Sequence, residues 1–288
     1  MASISLIQWT NSTLNPTVGC TKAGPECRNC YAIRDARRLA GNPNAAVAEN
    51  YRGTTRRTAA GRLDWTGVVR SIPGRLLQPF AATRHRLVFL NSLSDLFHDE
   101  VSDDFIRATF RMMELCDWHV FQILTKRGER LAALAPGLPW PANVWMGVSV
   151  GVQSAAGRID RLRGVPARVR FLSCEPLLEH PTLDLSGVHW VISGGESGPG
   201  SRPFDPAHAL SLRDQAAAAG AAFFHKQNGG ADKKASGRML DGREYDGMPE
   251  PTWAPVPTRS ERKARLDRFR AEFGFPAPTG NTERARPA

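Results

Sequence analysis

Short apolar runs that end in polar residues recur along the chain from about residue 86. Each run is rich in Val, Ile, Phe or Trp, and its length suits a strand that is buried on both faces, as in a parallel sheet. The runs are RLVFLNSLSDLF (86–97), HVFQILTKR (119–127), NVWMGVSVG (143–151), RVRFLSCEP (168–176), VHWVISGGESG (188–198) and AAFFHKQNGG (221–230). The pattern predicts that these runs form strands of one parallel sheet.

Segments with helical character lie between the runs. The segment 102–116 opens on a Ser/Asp cap and carries apolar side chains near helical spacing, and segments 154–165 and 205–220 behave alike. Alternation of strands with helices indicates an α/β fold. With LIQWTNSTLNPTVGC as a first strand there are about seven βα units. The sequence therefore predicts an α/β fold, a complete or partial TIM-type (β/α) barrel with parallel strands and a C-terminal extension.

The pattern changes near residue 231, where Gly and Pro punctuate the chain and strand-length apolar runs stop. We predict a barrel domain at 1–230, with a cysteine loop at 20–30, and an extension at 231–288 that wraps the barrel. A basic helix is expected at about 258–273, and the final NTERARPA is expected to be frayed.

Ionisable side chains stand at the carboxyl ends of the predicted strands. In a TIM-type barrel these ends surround the active site, and charged groups that converge there must pair or shift their pKa values. A protein without a site would also place polar residues where strands emerge into solvent. The predicted catalytic residues are Asp95, Lys126, Glu175, Glu196 and Lys226.

The run GGESG at 194–198 adds candidate cofactor contacts. Gly194 and Gly195 allow a ligand to approach the backbone closely, and Glu196 can accept a hydrogen bond from an amino or hydroxyl group. A Gly pair that ends a strand is also typical of a plain turn. We assign Gly194, Gly195, Glu196 and Ser149 to cofactor binding.

Five cysteines, an odd number, occur in a chain that shows no export signal at its start. Disulfides are therefore not expected, and a cysteine cluster indicates metal binding or redox chemistry. Cys20, Cys27 and Cys30 have the spacing C-x6-C-x2-C in a Gly- and Pro-containing segment, which is typical of a loop. Loop backbone can fold three thiolates around one centre, so these three cysteines are the predicted metal ligands.

The residues leave the identity of the metal open. Structural zinc takes four protein ligands, and a fourth from Cys174 or a distant histidine cannot be read from the sequence. A 4Fe-4S cluster usually has four cysteine ligands, so three would leave one iron open to a small molecule. Three thiols without a metal are the third alternative.

The 288 residues are 41% hydrophobic and 23% charged, which excludes disorder along the whole chain. Apolar runs are shorter than the roughly 20 residues of a membrane-spanning helix. We therefore expect a cytoplasmic protein without a membrane partner.

The net charge of +10 rests almost wholly on arginine, because only six of the 38 basic residues are lysine. Arginine binds phosphate bidentately and stacks on bases, so segments 34–41 and 51–62 form a candidate arginine-rich rim for nucleic acid. The biased composition of a genome would give the same excess. The basic helix near the end can likewise simply dock on its own domain.

Ordered blocks spread over about residues 5–245 carry a family resemblance. They are IQWTNSTLNPTVGCTKAGPECRNCYA, LNSLSDLFHDEV, FQILTKR, VWMGVSV, RFLSCEPLL, WVISGGESGPGSRP, FFHKQNGG and LDGREYDGMP. Together they resemble the phage- and mobile-element-associated three-cysteine-motif family. That family is carried mostly as a domain of unknown function and is regarded as similar to radical S-adenosylmethionine enzymes.

The resemblance implies a radical-SAM-like barrel in which Cys20, Cys27 and Cys30 bind a 4Fe-4S cluster with one open iron. S-adenosylmethionine bound there would be cleaved reductively to a 5′-deoxyadenosyl radical, which implies a reductant protein as partner. The spacing C-x6-C-x2-C differs from the commonest spacing of that superfamily, C-x3-C-x2-C. The Gly-Gly-Glu run also stands on a late strand rather than the second.

Two function classes follow from the sequence. The first is an S-adenosylmethionine-dependent radical enzyme whose substrate is unknown, with nucleic acid, a nucleotide or a protein side chain as candidates. The second is a metal-stabilised, nucleic-acid-binding, phage-associated protein without catalysis, whose metal is zinc or an iron–sulfur cluster. The sequence identifies neither a substrate nor a separate partner protein.

Overall fold

The computed structural model of the chain describes residues 3–5 and 7–275. In chain order the strands of these residues are β1 (Ser3–Ile4), β2 (Ser12–Leu14), β3 (Thr17–Val18), β4 (Thr55–Arg57), β5 (Leu63–Trp65), β6 (Arg70–Ser71), β7 (Leu87–Leu90), β8 (Val120–Thr125), β9 (Val144–Ser149), β10 (Val169–Cys174), β11 (Trp190–Ser193) and β12 (Ala222–His225). The α-helices are α1 (Tyr31–Ala40), α2 (Ala45–Tyr51), α3 (Asp103–Leu115), α4 (Gly128–Leu134), α5 (Gly157–Arg163), α6 (Pro206–Ala218), α7 (Lys233–Ser236) and α8 (Arg259–Phe273). Short 3₁₀ helices lie at Pro25–Cys27, Pro73–Leu77, Pro79–Ala81, Ala135–Gly137 and Gln153–Ala155.

Seven parallel strands form the central sheet, in the order β2-β7-β8-β9-β10-β11-β12. Strand β1 adds to the β2 edge in the antiparallel direction. Within the described residues β12 pairs only with β11 among these strands, so the sheet curls without closing. The prediction of a partial TIM-type barrel is confirmed, and the molecule is a half-barrel with its helices outside.

The register brings the carboxyl ends of the strands to one rim. Ser173 near the end of β10 is opposite Ser149, and Ser193 at the end of β11 is opposite both Cys174 and His225. Residues that follow the strands therefore emerge side by side at this rim, as expected of parallel strands.

The concave face of the sheet is filled by aromatic rings. Trp9 packs edge-on against Phe89, with ring centroids 4.6 Å apart, and against Trp190 at 5.9 Å. Phe171 lies 5.4 Å from Trp190. A Cβ atom at Gly147 would fall 2.5 Å from the Phe171 ring, so this position accepts only glycine while the ring stays in place. These rings fill the concave face below the rim within the described residues.

The convex face of the sheet is covered by helices. Helix α3 begins where the Ser102 hydroxyl accepts a hydrogen bond from the Phe105 amide, and Asp103 and Asp104 in its first turn face the positive helix end. Its apolar side chains join the main core together with the convex side chains of the sheet. Cys116 at its end is fully buried there.

The segment after residue 231 packs across the half-barrel. The Trp190 indole nitrogen donates to the Gly247 carbonyl at 2.8 Å, and Tyr245 packs against Phe223 with ring centroids 5.6 Å apart. The division at residues 230 and 231 stays a prediction. The expected frayed tail, NTERARPA, lies outside the described residues.

Helix α8 occupies the segment where the sequence predicts a basic helix. It begins with a capping box of Thr258 and Glu261 and ends at Gly274, whose φ of 68° is readily adopted by glycine. Phe269 is fully buried, between Phe80 at 5.6 Å and Phe275 at 5.4 Å. The helix is therefore docked on its own domain.

No helix among residues 3–5 and 7–275 is both long and apolar enough to cross a membrane.

Replacement of Phe269 by alanine tests the docking of α8. We expect Phe269→Ala to lower the free energy of unfolding by about 3–5 kcal/mol, because the cavity left by the ring lies inside the core. Arg268→Ala, at the exposed neighbouring position, should change it by less than about 0.5 kcal/mol. Chemical denaturation followed by circular dichroism measures both. Equal effects of the two substitutions would contradict the docking.

Candidate functional site

The cysteine loop follows the first parallel strand, β2, and the short strand β3. Strand β3 pairs with β6, and Gly19 then bridges to Ser94 in the segment after β7. The loop makes one 3₁₀ turn at Pro25–Cys27, and α1 begins immediately after Cys30. Cys30 is therefore the residue that precedes the first turn of this helix.

The three loop cysteines line one cavity of about 140 Å³ at the rim of the half-barrel. Cys27 is buried, Cys20 and Cys30 are partly exposed, and all three thiols are free. The other two cysteines lie in the main core, Cys116 in the outer layer and Cys174 at the end of β10. The trio is thus separated from the two core thiols.

Most of the predicted strand-end residues line the same cavity as the thiols. The structure brings together Asp95, Lys126, Ser149, Glu175 and Lys226, each from the end of a different strand. Gly194, Gly195 and Glu196 are not among the lining residues. The cavity therefore joins the metal-ligand candidates to five of the predicted catalytic and cofactor residues.

Asp95 organises one side of the cavity. Its carboxylate accepts hydrogen bonds from the Thr125 hydroxyl at 2.7 Å and the Lys126 amide at 3.0 Å. The Lys126 ammonium then reaches the Ser149 hydroxyl at 3.1 Å. These bonds connect the ends of β7, β8 and β9, and they direct one positive charge into the cavity.

A second charged pair lies on the opposite side. The Lys226 ammonium is 3.0 Å from Glu175 Oε1, and the Ser173 hydroxyl donates to Glu175 Oε2 at 3.3 Å. Both charged side chains are largely shielded from solvent, at 15% and 13% exposure. Two lysines and two carboxylates thus face one enclosed space, an arrangement common in catalytic sites.

Arg127 connects the cysteine loop to this rim. Its guanidinium donates to the Thr21 hydroxyl at 2.7 Å, and that hydroxyl is 2.9 Å from His98 Nε2. Burial, and then the nearby Arg127 charge, lower the pKa of His98 below its ordinary value. His98 is therefore neutral at neutral pH, and because its Nδ1 accepts from the Glu100 amide at 3.2 Å, its Nε2 carries the proton and donates to the Thr21 hydroxyl.

A buried ion pair holds the middle of the loop. The Arg158 guanidinium donates to Glu26 Oε1 and to the Ser149 carbonyl, both at 2.7 Å. The Glu26 side chain is completely buried. Because Glu26 precedes Cys27 and Ser149 ends β9, the pair ties the second cysteine to the rim of the sheet.

Glu196 makes a second tie between the loop and the rim. Arg202 donates to both of its carboxylate oxygens, at 2.6 and 3.0 Å, and the Asn29 amide donates at 2.9 Å. Burial opposes ionisation of Glu196, but the hydrogen bonds from Arg202 and Asn29 outweigh it and hold its pKa below the usual range. Asn29 lies between Cys27 and Cys30, so Glu196 contacts the cysteine loop rather than the cavity.

The two glycines before Glu196 are approached by the protein's own atoms. A Cβ atom at Gly194 would lie 2.6 Å from Glu175 Oε1, and one at Gly195 would meet the Asn228 carbonyl. The small size of both residues lets Glu175 and the chain after β12 pack against the strand. Their assignment to cofactor binding stays a prediction.

The thiols of Cys20 and Cys30 are costly to ionise in this environment. Burial, reinforced by the Asp95 carboxylate and opposed by Arg127, raises the pKa of Cys20 to about 12. Burial raises the pKa of Cys30 as well. Thiolate ligands here need a positive partner, and a metal centre supplies one, since a coordinating thiol is deprotonated.

Among the described residues, no group of three or more His, Cys, Asp and Glu side chains is arranged to hold a single metal ion. Tetrahedral zinc requires four ligands within about 2.3 Å of one centre. The trio supplies three ligands, so its assignment as the protein ligands of zinc or of an iron–sulfur cluster stays a prediction.

The cavity also contains buried polar atoms without a hydrogen-bond partner in the described part of the chain. These are Trp9 Nε1, Asn91 Oδ1 and Arg127 Nε. Buried polar atoms are nearly always paired, so these two donors and one acceptor are exceptions among the residues that line the cavity. The sequence pattern did not mark Trp9 as a site residue.

Arg158 and Arg202 were also missed, and the sequence carries little signal for them. Both come from segments well separated from the cysteine loop, and only the fold brings them to Glu26 and Glu196. Glu26 and Asn29 within PECRNC were the only visible indication, because charged and amide side chains inside such a loop need partners.

A family model matches residues 4–249. The chain belongs to the family described as "Protein of unknown function (DUF5131)". The matched part of this DUF5131 protein includes the cysteine loop and the whole half-barrel, and it ends before α8. The expected membership of a domain-of-unknown-function family is confirmed. No curated protein and no solved structure matches the chain.

Loss of the Glu26 charge tests the anchoring of the DUF5131 cysteine loop. We expect Glu26→Gln to lower the free energy of unfolding by about 3–5 kcal/mol, because it leaves the Arg158 charge buried and unpaired. Glu129→Gln is a matched control. Glu129 pairs at an exposed site with Arg161, which lies on α5 as Arg158 does, so this substitution should cost about 0–1 kcal/mol. Urea denaturation measures both variants, and equal values would contradict the anchoring role.

Proposed function

We propose that the protein is an iron–sulfur, S-adenosylmethionine-dependent radical enzyme that works in the cytoplasm. One observation carries the proposal: three free cysteines share a cavity of about 140 Å³ with Asp95, Lys126, Ser149, Glu175 and Lys226. The proposed thiol ligands and the paired ionisable groups thereby lie together at the rim, where barrel enzymes hold their active sites. Free thiols also suit a reducing compartment.

In this proposal Cys20, Cys27 and Cys30 hold a 4Fe-4S cluster. A cluster held by these residues would supply one-electron reduction, the chemistry that divides S-adenosylmethionine into methionine and a 5′-deoxyadenosyl radical. The positive side chains of Lys126 and Arg127 line the same cavity and offset the negative charge of the thiolates. Zinc is the alternative metal.

The remaining residues orient substrates and exclude water. Lys126, held by Asp95 and Ser149, and the Lys226–Glu175 pair present donors and acceptors of both charges to a polar ligand. The aromatic side chains of Trp9, Trp65 and Phe89 form an apolar wall of the cavity. Such a wall keeps solvent from a reactive intermediate. Gly194, Gly195 and Glu196 remain proposed contacts of S-adenosylmethionine.

The proposal includes two partners. A reductant protein would supply the electron, because the described residues present one candidate redox centre. Nucleic acid would contact the arginines after the cysteine loop, where Arg56, Arg57 and Arg62 are exposed on and beside the β4–β5 hairpin. Nothing in the structure identifies a further partner protein.

A second function, favoured by the same exposed arginines, is a metal-stabilised nucleic-acid-binding protein without catalysis. In that case the trio would hold zinc or a cluster only to fix the loop, which Glu26 and Glu196 already anchor. The phage or mobile-element context implied by the resemblance belongs to this proposal as well as to the first.

Metal analysis after anaerobic purification tests the cluster. We expect a brown protein with about four iron and four sulfide per chain, because three cysteines and a small ligand complete such a cluster. Cys20→Ala should lose most of the iron. Cys116→Ala should keep it, since Cys116 lies in the outer core away from the cavity. A colourless protein with stoichiometric zinc would contradict the iron–sulfur assignment and support the second function.

Cleavage of S-adenosylmethionine tests catalysis separately. With dithionite as reductant, we expect the iron-loaded protein to form 5′-deoxyadenosine, measured by liquid chromatography. Cys30→Ala should abolish the product, whereas the core variant Cys174→Ala should retain it. Iron-loaded protein that forms no more product than the Cys30→Ala variant would show that the cluster does not support this chemistry.

A further inference from the structure

The open side of the half-barrel is a groove of about 1310 Å³. One wall is formed by β2 and the residues before it, and the other by the chain after β12, with α1 and α2 alongside. Tyr31, Ser92 and Lys226 line both this groove and the cavity that contains the thiols. The groove therefore leads from the surface to the candidate active site.

The charge of the groove favours an anionic occupant. Its charged lining residues are Arg34, Arg38, Arg75, Lys226, Asp35 and Asp232. Within the described residues, neither Arg34 nor Arg75 forms an ion pair with a carboxylate. Arg34 donates to the Ser197 carbonyl at 3.2 Å, and Arg75 donates to the Asn15 carbonyl at 2.6 Å and to the Tyr51 hydroxyl at 3.5 Å. Two guanidinium groups thus keep unneutralised charge inside the groove.

Neutral groups of the groove suit bases rather than a lipid or an acidic peptide. Among the amide side chains of the lining, Asn50 and Gln78 offer donors and acceptors of the kind that base edges pair with, whereas Asn15 bonds to Ser92 and Leu93 and Asn44 caps α2. The Tyr31 ring is 39% exposed, with its hydroxyl fixed on the Ser92 carbonyl at 2.9 Å. A fixed, exposed aromatic face beside arginines is typical of base-stacking sites.

We propose that the groove binds single-stranded nucleic acid, with arginines on the phosphates and one base stacked on Tyr31 at the entrance to the cavity. A single strand is required because the bases of a duplex are stacked and paired, whereas a base must leave its stack to reach an enclosed site. The role of the strand as substrate rests on the proposed function. Its binding does not, because no turnover is needed.

Fluorescence anisotropy with labelled oligonucleotides tests the binding. The protein, purified anaerobically as in the metal analysis, should bind single-stranded DNA or RNA more tightly than the corresponding duplex. Tyr31→Ala should weaken binding by about tenfold, whereas Tyr31→Phe should retain it, because the stacking face is kept. Equal affinity for single strand and duplex, or unchanged binding by Tyr31→Ala, would overturn the proposal.

The salt dependence separates the arginine contacts from general attraction. Arg34→Gln should reduce the slope of log affinity against log salt by about 0.7, the value for one phosphate contact of a single strand, because Arg34 has no carboxylate partner among the described residues. Arg107→Gln should leave the slope unchanged, because Arg107 is also a helical arginine but pairs with Asp104 and lies outside the groove. Equal slopes for the two variants would place the nucleic acid elsewhere.

Polyglutamate is a polyanion without bases, so it tests for binding by charge alone. At the same concentration of negative charge it should not displace the oligonucleotide. Displacement would overturn the proposal in favour of unspecific polyanion binding. Iron content and 5′-deoxyadenosine formation are measured on the same preparation. If the protein contains iron and forms 5′-deoxyadenosine but does not bind the oligonucleotide, the groove proposal is rejected and the proposed enzyme stands. If it binds the oligonucleotide but lacks iron and forms no 5′-deoxyadenosine, the proposed enzyme alone is rejected.

Discussion

Parallel pairing of seven strands is the constraint on which the rest of the structure depends. It buries both faces of the sheet, and it places every strand end, with its polar residue, at the same rim. The aromatic rings of the concave face fill the inside of the sheet, and the cavity lined by Cys20, Lys126 and Glu175 lies at that rim. The candidate site therefore lies where the apolar packing ends.

The cysteine loop is fixed to this rim by charge rather than by apolar burial. Glu26 reaches Arg158 and Glu196 reaches Arg202, and both carboxylates are nearly inaccessible to solvent. A buried pair is a costly way to gain stability, but each partner is strongly unfavourable alone, so the pair admits few other positions of the loop. The two anchors hold the loop at Glu26, next to Cys27, and at Asn29, next to Cys30, which restrains the positions of both cysteines.

The fold and much of the candidate site could be predicted from local patterns. Apolar runs marked the strands, and the polar residue after each run marked a rim position, so Asp95 and Lys226 were identified although they are far apart in sequence. Glu196 shows the limit of this reasoning. A carboxylate at a strand end has the same sequence signal whether it faces a ligand or an arginine, and only the fold shows that Arg202 occupies it. Whether the sheet closes was equally hidden, because closure depends on how β12 and β2 meet.

The unclosed edge between β2 and β12 has a consequence for the size of molecule that can be handled. A closed barrel admits ligands only through its mouth, so a polymer must present an end or a loop narrow enough to enter from above. A barrel with one side missing can receive a chain sideways, with both of its ends remaining in solvent on either side of the protein. Length then places no restriction on the molecule bound, and an interior position of a very long chain is as accessible as its terminus.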